Sequence, residues 1–541
     1  MQNASRNHFE SWKGNKMELS RRKFIQGAAV IGGATALAGL TGCNTKQNAK
    51  NTDTTKASAS YDITSTRDCD ILIVGAGMSG LAAAVQAGEN GNKVILTESA
   101  AKTGGNGAGV EGLFAVNSKP QQKLGIHINP GQVLFSELEW AQWRPNGLLW
   151  MDMIKNSADN YDWLVTQGAQ FSGIVDGYTD GAELSTFHWF SGGADGRFGG
   201  NGQVGYVPFM TDRAAKLGVD TMLSTKVVDL IQENGVIKGA YALDAQGKYM
   251  QINAAAVILA TGGFASNQEL LQRRGYTVMD NIIPIGAPGH DGDGYRMAMT
   301  AGAKDVLADA CYLDGLTINH GRGGLSGPEL LQGLPLAIGF GGPFLWVNEN
   351  CERFVGEAPC GKTILSAGVP SLQQKYTYFI FGQNIADGFD DTAKTQLAEL
   401  VKACPLDNIY KKDTVNDLAK SVNLDPEALN ATFDRYQKLC SESLDEDFAK
   451  PSEMMIPFTA PYYILRMDPW IQVAIGGIHT NRKFEACDEK NMPIPGLYAA
   501  GVDGTELWRC VYTINIPGTC NANNINSGRY AAINAAKYIK G

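Results

Sequence analysis

Asp70-Ile-Leu-Ile-Val-Gly-Ala-Gly-Met-Ser-Gly80 decides the fold. It opens with a short apolar run, Asp70–Val74, whose β-branched side chains predict a buried strand. The run enters Gly75-x-Gly77-x-x-Gly80, and an Ala-rich segment then predicts a helix to about Gly88. A second apolar strand, Lys93–Thr97, ends on Glu98. Strand, glycine turn, helix, strand and acid in this order are the parts of a dinucleotide-binding α/β fold. Gly75 allows the tight turn, Gly77 lets a pyrophosphate approach the backbone, and Gly80 lets helix and strand pack closely. The helix start offers N–H groups and a positive dipole end to phosphate. Glu98 stands where a carboxylate can bond the ribose hydroxyls.

Further glycine-bearing segments reach toward the same ligand. Thr103-Gly-Gly-Asn106-Gly107 follows directly, and Ala255-Ala-Val-Ile-Leu-Ala-Thr-Gly-Gly-Phe264 is a buried strand ending in a glycine pair. Gly496-Leu-Tyr-Ala-Ala-Gly501 precedes a helix expected over about Asn521–Ile539. The first motif alone suits NAD or FAD alike. The distant segments favour FAD, touched from both ends of the chain. The first turn of the last helix is expected to point at the flavin ring, where its dipole would stabilise the negative charge of the reduced form.

The 541 residues exceed one ordinary domain, and 44% hydrophobic with 19% charged content fits a globular enzyme. A net charge of −9 with no basic stripe gives no reason to expect nucleic acid. Near the start, Ser20-Arg21-Arg22-Lys23-Phe24-Ile25 precedes a small-residue apolar run, Gly27–Leu40, too short and weakly hydrophobic to span a membrane. Leu40-Thr-Gly-Cys43 closes it. This resembles a twin-arginine export signal (1–43) ending in a lipoprotein box, which would leave Cys43 as the lipid-bearing first residue and Met17 as a plausible start. The polar stretch 44–66 is expected to be a flexible tether. The remaining cysteines contain no Cys-x-x-Cys pair, so the spacing offers neither a zinc ribbon nor a ferredoxin cluster, and no metal site is expected.

With Gly75–Gly80, Gly104-Gly-Asn106, Ala260–Phe264, Gly292-Asp-Gly294, Val347-Asn348, Arg353-Phe-Val355 and Ile494–Gly501 in hand, the chain from about Asp68 to Lys540 resembles a flavoprotein family. That family contains soluble fumarate reductases, urocanate reductases, 3-ketosteroid dehydrogenases and gut bacterial reductases of cinnamates and cardiac glycosides. The resemblance implies a Rossmann-like FAD-binding domain of discontinuous segments, 67–314 and 458–541. It also implies an inserted α+β cap domain over 315–457, with the active site between them. It places FAD against Gly75, Ala76, Gly77, Ser79, Gly80, Glu98, Gly104, Gly105, Asn106, Gly107, Glu111 and Gly112. Later in the chain it adds Val228, Ala260, Thr261, Gly262, Asp293, Ala474, Gly501, Val502, Asp503, Cys520 and Asn521. Asp503 would hold the ribityl chain, since the expected acid position itself reads Val502.

The residues that grip and protonate fumarate in that family are missing here. The Thr-Glu pair falls at Leu336 and Ala337, the proton-donating Arg at about Gly361, the His beside the flavin at Val473, and the carboxylate-binding Arg at Asn515. A dianion buried without paired cations is strongly disfavoured. The expected substrate is therefore bulky, largely uncharged and unsaturated. Trp189, Phe190, Phe340, Phe344, Trp346, Trp470, Trp508 and Tyr512 are aromatic candidates for its lining, about half of them ordinary core. The expected chemistry is hydride transfer from flavin N5 to an activated C=C bond with protonation of the neighbouring carbon. Tyr512 and Arg509 are the catalytic candidates; Lys362 and Cys360 lie beside the lost Arg, and His188 and His479 are more often structural. No second unit of strand, Gly-x-Gly-x-x-Gly and helix offers an NADH site, so an external donor is expected: membrane quinol, a cytochrome or a flavinylated protein. Two alternatives stay open, a ketosteroid-type dehydrogenase and a lipoprotein flavin shuttle without a small-molecule substrate.

Overall fold

The computed structural model describes residues 61–178, 184–192, 201–275, 282–318, 333–339, 341–357, 373–504, 506–513 and 515–541. The expected export signal and residues 44–60 of the tether lie outside them. The first sheet takes strand β1 (Ile63–Val74), helix α1 (Met78–Glu89), β2 (Val94–Thr97), β3 (Asp220–Met222) and β4 (Tyr249–Leu259). A second sheet contains β5 (Cys311–Ile318), β6 (Thr377–Gly382) and the long β7 (Tyr462–Ile475). The chain then returns to the first sheet as β8 (Pro493–Ala499) and ends in helix α2 (Thr519–Lys540).

Parallel strands in the order β8-β4-β1-β2-β3 form the centre of the first sheet. Their register aligns the carboxyl ends: Val74 pairs with Thr97 on one side and Leu259 on the other, and Leu259 with Ala499. Ile71, Leu72 and Ile73 are completely buried, each side chain contributing roughly 1.5–3 kcal/mol of burial. Only glycine fits at position 80: an added Cβ would lie 1.8 Å from the Gly75 carbonyl oxygen. That contact sets α1 close over the end of β1.

Strand β1 begins earlier than the sequence suggests. Ile63–Thr66, read as tether, pairs with Tyr249–Gln251, and Tyr61 packs on Tyr241 and Tyr249. Polar Thr and Ser resemble linker composition, but β-branched residues are also at home on the open face of a strand.

The second sheet joins the two parts of the molecule. The first half of β7 pairs antiparallel with β6, from Tyr462↔Gly382 to Met467↔Thr377. Its second half pairs with β5, from Met467↔Ile318 to Ile475↔Cys311. The cap core runs from Leu316 to Met467 and includes Trp346 stacked on Phe379 at 4.2 Å. The core thus holds Tyr463, Ile464, Leu465 and Met467, beyond the expected cap end at 457, because β7 runs from its β6 pairing into its β5 pairing without a turn to mark the boundary. Inside the cap, Arg353 is ion-paired with Glu357 (2.8 Å) and Asp445 (2.6 Å), and Lys450 Nζ lies 3.3 Å from Glu357. This buried network accounts for the charged residues of the Arg353-Phe-Val-Gly-Glu357 segment.

Candidate active site

A cavity of about 540 Å³ opens at the carboxyl ends of the parallel strands, where Val74 and Thr97 reach its wall. This is where ligands bind in open α/β sheets. At one end, Glu98 accepts hydrogen bonds from the Ala76 and Ala100 amides, both at 2.8 Å. Helix α1 has no side-chain cap and no acid in its first turn. An added Cβ at Gly77 would meet nothing nearer than the Gly104 oxygen, at 4.0 Å. An uncapped helix start beside an open glycine is a cradle for an anionic group.

The middle of the wall is held by partners from distant parts of the chain. Asp503 accepts from the Thr261 amide (2.5 Å), the Gly263 amide (2.8 Å) and Thr261 Oγ1 (2.9 Å). It therefore shapes the Thr261–Gly263 turn from behind rather than lining the cavity, and its burial pushes its carboxyl up despite these donors. Asn106 accepts from the Ala287 amide (2.6 Å) and donates to the Gln472 carbonyl (3.0 Å), bridging two wall segments. Lys226 reaches Asp291 (2.8 Å) and Asp293 (2.6 Å). Burial works against its charge, but the two carboxylates outweigh it and raise its pKa.

At the other end, helix α2 begins after Gly518 without a side-chain cap, and Cys520, Asn521 and Asn524 of its first turns reach the wall. Asn521 Nδ2 donates to the Gly112 carbonyl at 2.6 Å. Glu111, Tyr178, Phe187, Leu313, Trp470, Val473 and Tyr512 also line the cavity. Tyr512 is buried, which pushes its phenol far up, and Trp508 meets its ring edge-on at 4.8 Å.

Of the expected cofactor residues, the wall contains Gly75, Gly77, Ser79, Glu98, Gly105, Asn106, Gly107, Glu111, Ala260, Thr261, Gly262, Asp293, Val502, Cys520 and Asn521. The others stand one layer back. Ala76 donates to Glu98, Gly104 to the Ala76 carbonyl (2.9 Å) and Gly501 to Ser527 Oγ (2.8 Å). Gly80 packs on Gly75, Gly112 receives Asn521, and the Ala474 carbonyl closes over Gly263. Val227 rather than Val228 reaches the cavity, while the Val228 carbonyl accepts from Arg296.

Arg509 requires a correction. Its guanidinium pairs with Glu506, lies 3.9 Å from Asp309 and is absent from the wall, so it does not face a substrate there. His479 shares Glu506 with it. His188 is buried between Ser118 Oγ (2.6 Å) and the Thr186 carbonyl (3.0 Å), and burial lowers its pKa to about 4. Among the aromatic candidates only Trp470 and Tyr512 line the cavity. Trp189, Phe190, Phe344, Trp346 and Trp508 are buried core, and Phe340, Cys360, Gly361 and Lys362 lie outside the described residues. Asn515 is engaged with Ser136 Oγ (2.7 Å), and Ala337 packs against the cap core. Sequence reasoning missed Tyr178, Phe187, Lys226, His290 and Gln472 on the wall. Only His290 carried a signal, two residues before Gly292-Asp-Gly294; burial lowers its pKa.

The sequence profile of the FAD binding domain matches residues 70–507. The chain belongs to that family. It is 30% identical over 495 residues to the vinyl phenol reductase of Lactiplantibacillus plantarum, covering 87% of this chain and 96% of that protein. It is likewise 30% identical over 474 residues to a fumarate reductase (cytochrome) of Shewanella frigidimarina, covering 87% and 77%. The open conformation of a flavocytochrome c3 fumarate reductase superposes with a TM-score of 0.65 at 25% identity, over 89% of this chain and 80% of that one. The chain is thus an FAD-dependent oxidoreductase, and the wall fits the cofactor. The cradle at Gly77 and α1 suits the pyrophosphate, Glu98 the ribose, and the uncapped start of α2 the ring. Bound there, FAD supplies two-electron, hydride-transferring chemistry.

Proposed function

We propose that this flavoprotein reduces an activated carbon–carbon double bond in a bulky, largely uncharged substrate such as a vinylphenol, cinnamate, enone, steroid or cardenolide. The observation that carries the reading is Val473, an apolar side chain on the wall beside Leu313, Trp470 and Tyr512. A site for a dicarboxylate needs fixed cations at this end. The described lysines of the wall, Lys102 and Lys226, instead flank the Glu98 segment, and Lys226 is already held by two carboxylates. An apolar, aromatic lining with a few placed polar groups suits a flat, uncharged ligand. That one relative is a vinyl phenol reductase supports the same class. The test is anaerobic oxidation of a reduced viologen by the FAD-loaded enzyme with these compounds and with fumarate. Turnover with an apolar alkene and none with fumarate is expected. Turnover with fumarate, or with nothing, would refute the reading.

The proposal extends to location and electron supply. Arg21-Arg22, the run Gly27–Leu40 and Cys43 support export followed by lipid anchoring on the outer face of the cytoplasmic membrane. Among the described residues no helix is long and apolar enough to cross a membrane. An enzyme so placed takes electrons from an external donor, either membrane quinol through a cytochrome or a flavinylated protein. Labelled fatty acid should enter the wild-type chain in cells and not a Cys43→Ala variant. Equal labelling of both would reject the anchor.

A further inference from the structure

The reduction proposed above needs a proton as well as a hydride, and Gly361 cannot supply the one that the family's Arg provides. Among the described residues the titratable groups at the apolar end of the cavity are few. Tyr512 and Tyr178 are phenols that burial pushes further up, and the Cys520 thiol is pushed up to about 12 by burial. His188, on the neighbouring strand, is neutral and fully engaged. Asp176 is occupied by the Trp189 indole N–H and the Tyr178 amide, both at 2.8 Å. Glu111 is different.

It lines the cavity, and among the described residues its carboxyl has no ion-pair partner and is held by its own backbone amide. Its backbone is clamped. The Phe190 amide donates to its carbonyl at 2.9 Å, the Gly202 amide to the Val110 carbonyl at 2.7 Å, and Asn521 to the Gly112 carbonyl at 2.6 Å. The last bond ties Glu111 to the first turn of α2, at the end of the cavity that suits the flavin ring. Burial, offset only in part by the bond from its own amide, pushes the carboxyl up to about 7. A general acid works best when its pKa lies near the working pH.

We propose that Glu111 is the catalytic proton donor, a rigidly held carboxylic acid on the wall beside the start of α2. This rests on the reading of the site as a double-bond reductase. One alkene carbon gains a hydride, which carries the two electrons that the reduced cofactor loses. The other gains the proton from the Glu111 carboxyl, and the π bond is consumed in forming two C–H bonds. Glu111, left as a carboxylate, recovers its proton from water through the cavity mouth. Its role is then chemical rather than that of a cofactor ligand.

The test compares FAD-loaded wild type with Glu111→Gln and Glu111→Asp. Gln keeps the shape and cannot donate a carboxyl proton, so kcat for the alkene is expected to fall by about 10²–10⁴-fold, with KM and FAD content near wild type. Asp should restore part of it. Wild-type kcat should fall as pH rises through about 7, while the residual Gln activity stays flat. Independently of turnover, the infrared carbonyl absorption of protonated carboxyls should disappear over the same pH range in wild type, and Glu111→Gln should lack the Glu111 share of it while keeping that of Glu137. Wild-type turnover matched within threefold by Gln, a Gln variant that loses FAD, or the same titrating absorption in both proteins would each overturn the proposal. If no alkene oxidises even the wild-type enzyme, the reductase reading itself fails and this role goes with it.

Discussion

Glu137 offers a sharp energetic test of how the Tyr512 loop is held. The carboxyl is 1% exposed on the helix Pro130–Trp140. It accepts from Thr513 Oγ1 at 2.6 Å and the Ile516 amide at 3.1 Å, so one buried side chain holds the loop at two points. Burial pushes its pKa from the ordinary 4.5 to about 7, with the bonds from Thr513, Ile516 and Asn515 pulling back only in part. A carboxyl whose folded pKa is raised binds protons better in the folded state. Stability is therefore greatest below the unfolded value and falls as pH rises toward the folded one. Between pH 4.5 and about 7 the loss should be about 3 kcal/mol. In Glu137→Gln the amide oxygen can still accept from Ile516 and the amide N–H can donate to Thr513 Oγ1, but nothing titrates. Urea unfolding of both FAD-loaded proteins at about pH 5 and pH 8 isolates the term, because other titrations cancel in the difference. The variant should gain about 3 kcal/mol on wild type between the two conditions. A change below about 1 kcal/mol would refute the reasoning, since Glu137 would then not hold its proton in the fold.

Gly80→Ala should yield little folded, FAD-retaining protein, because the new Cβ would sit 1.8 Å from the Gly75 carbonyl. Gly77→Ala has room in the protein, with nothing nearer than 4.0 Å, yet should release FAD at least about tenfold more readily (about 1.4 kcal/mol). FAD retention by Gly77→Ala equal to that of wild type, measured by flavin fluorescence after dialysis, would contradict the cradle. Arg353→Leu leaves Asp445 buried without its cation and Glu357 with Lys450 alone, and should cost about 3–5 kcal/mol. A loss under about 1 kcal/mol in urea unfolding would place that network in the class of weak surface pairs.

The sequence by itself determined the β1–α1–β2 unit and the ligand class. Strand periodicity, glycine turns and an acid about 20 residues on are local rules, legible without knowing what packs where. It also marked the Thr261–Gly263 turn and the start of α2 as ligand-facing, since runs ending in glycine announce a close backbone approach. What tertiary structure alone decided is which side chain stands in front and which behind. Asp503 and Thr261 meet across 242 residues, and Glu137 and Thr513 across 376. Five of the aromatic candidates turned into core while Tyr178 and Phe187 came to the wall. A strand such as β7 shows the reason. Its alternation tells which residues share a face, but which strands lie along its edges depends on β5 and β6, 80 or more residues away, and on where the register hands over between them.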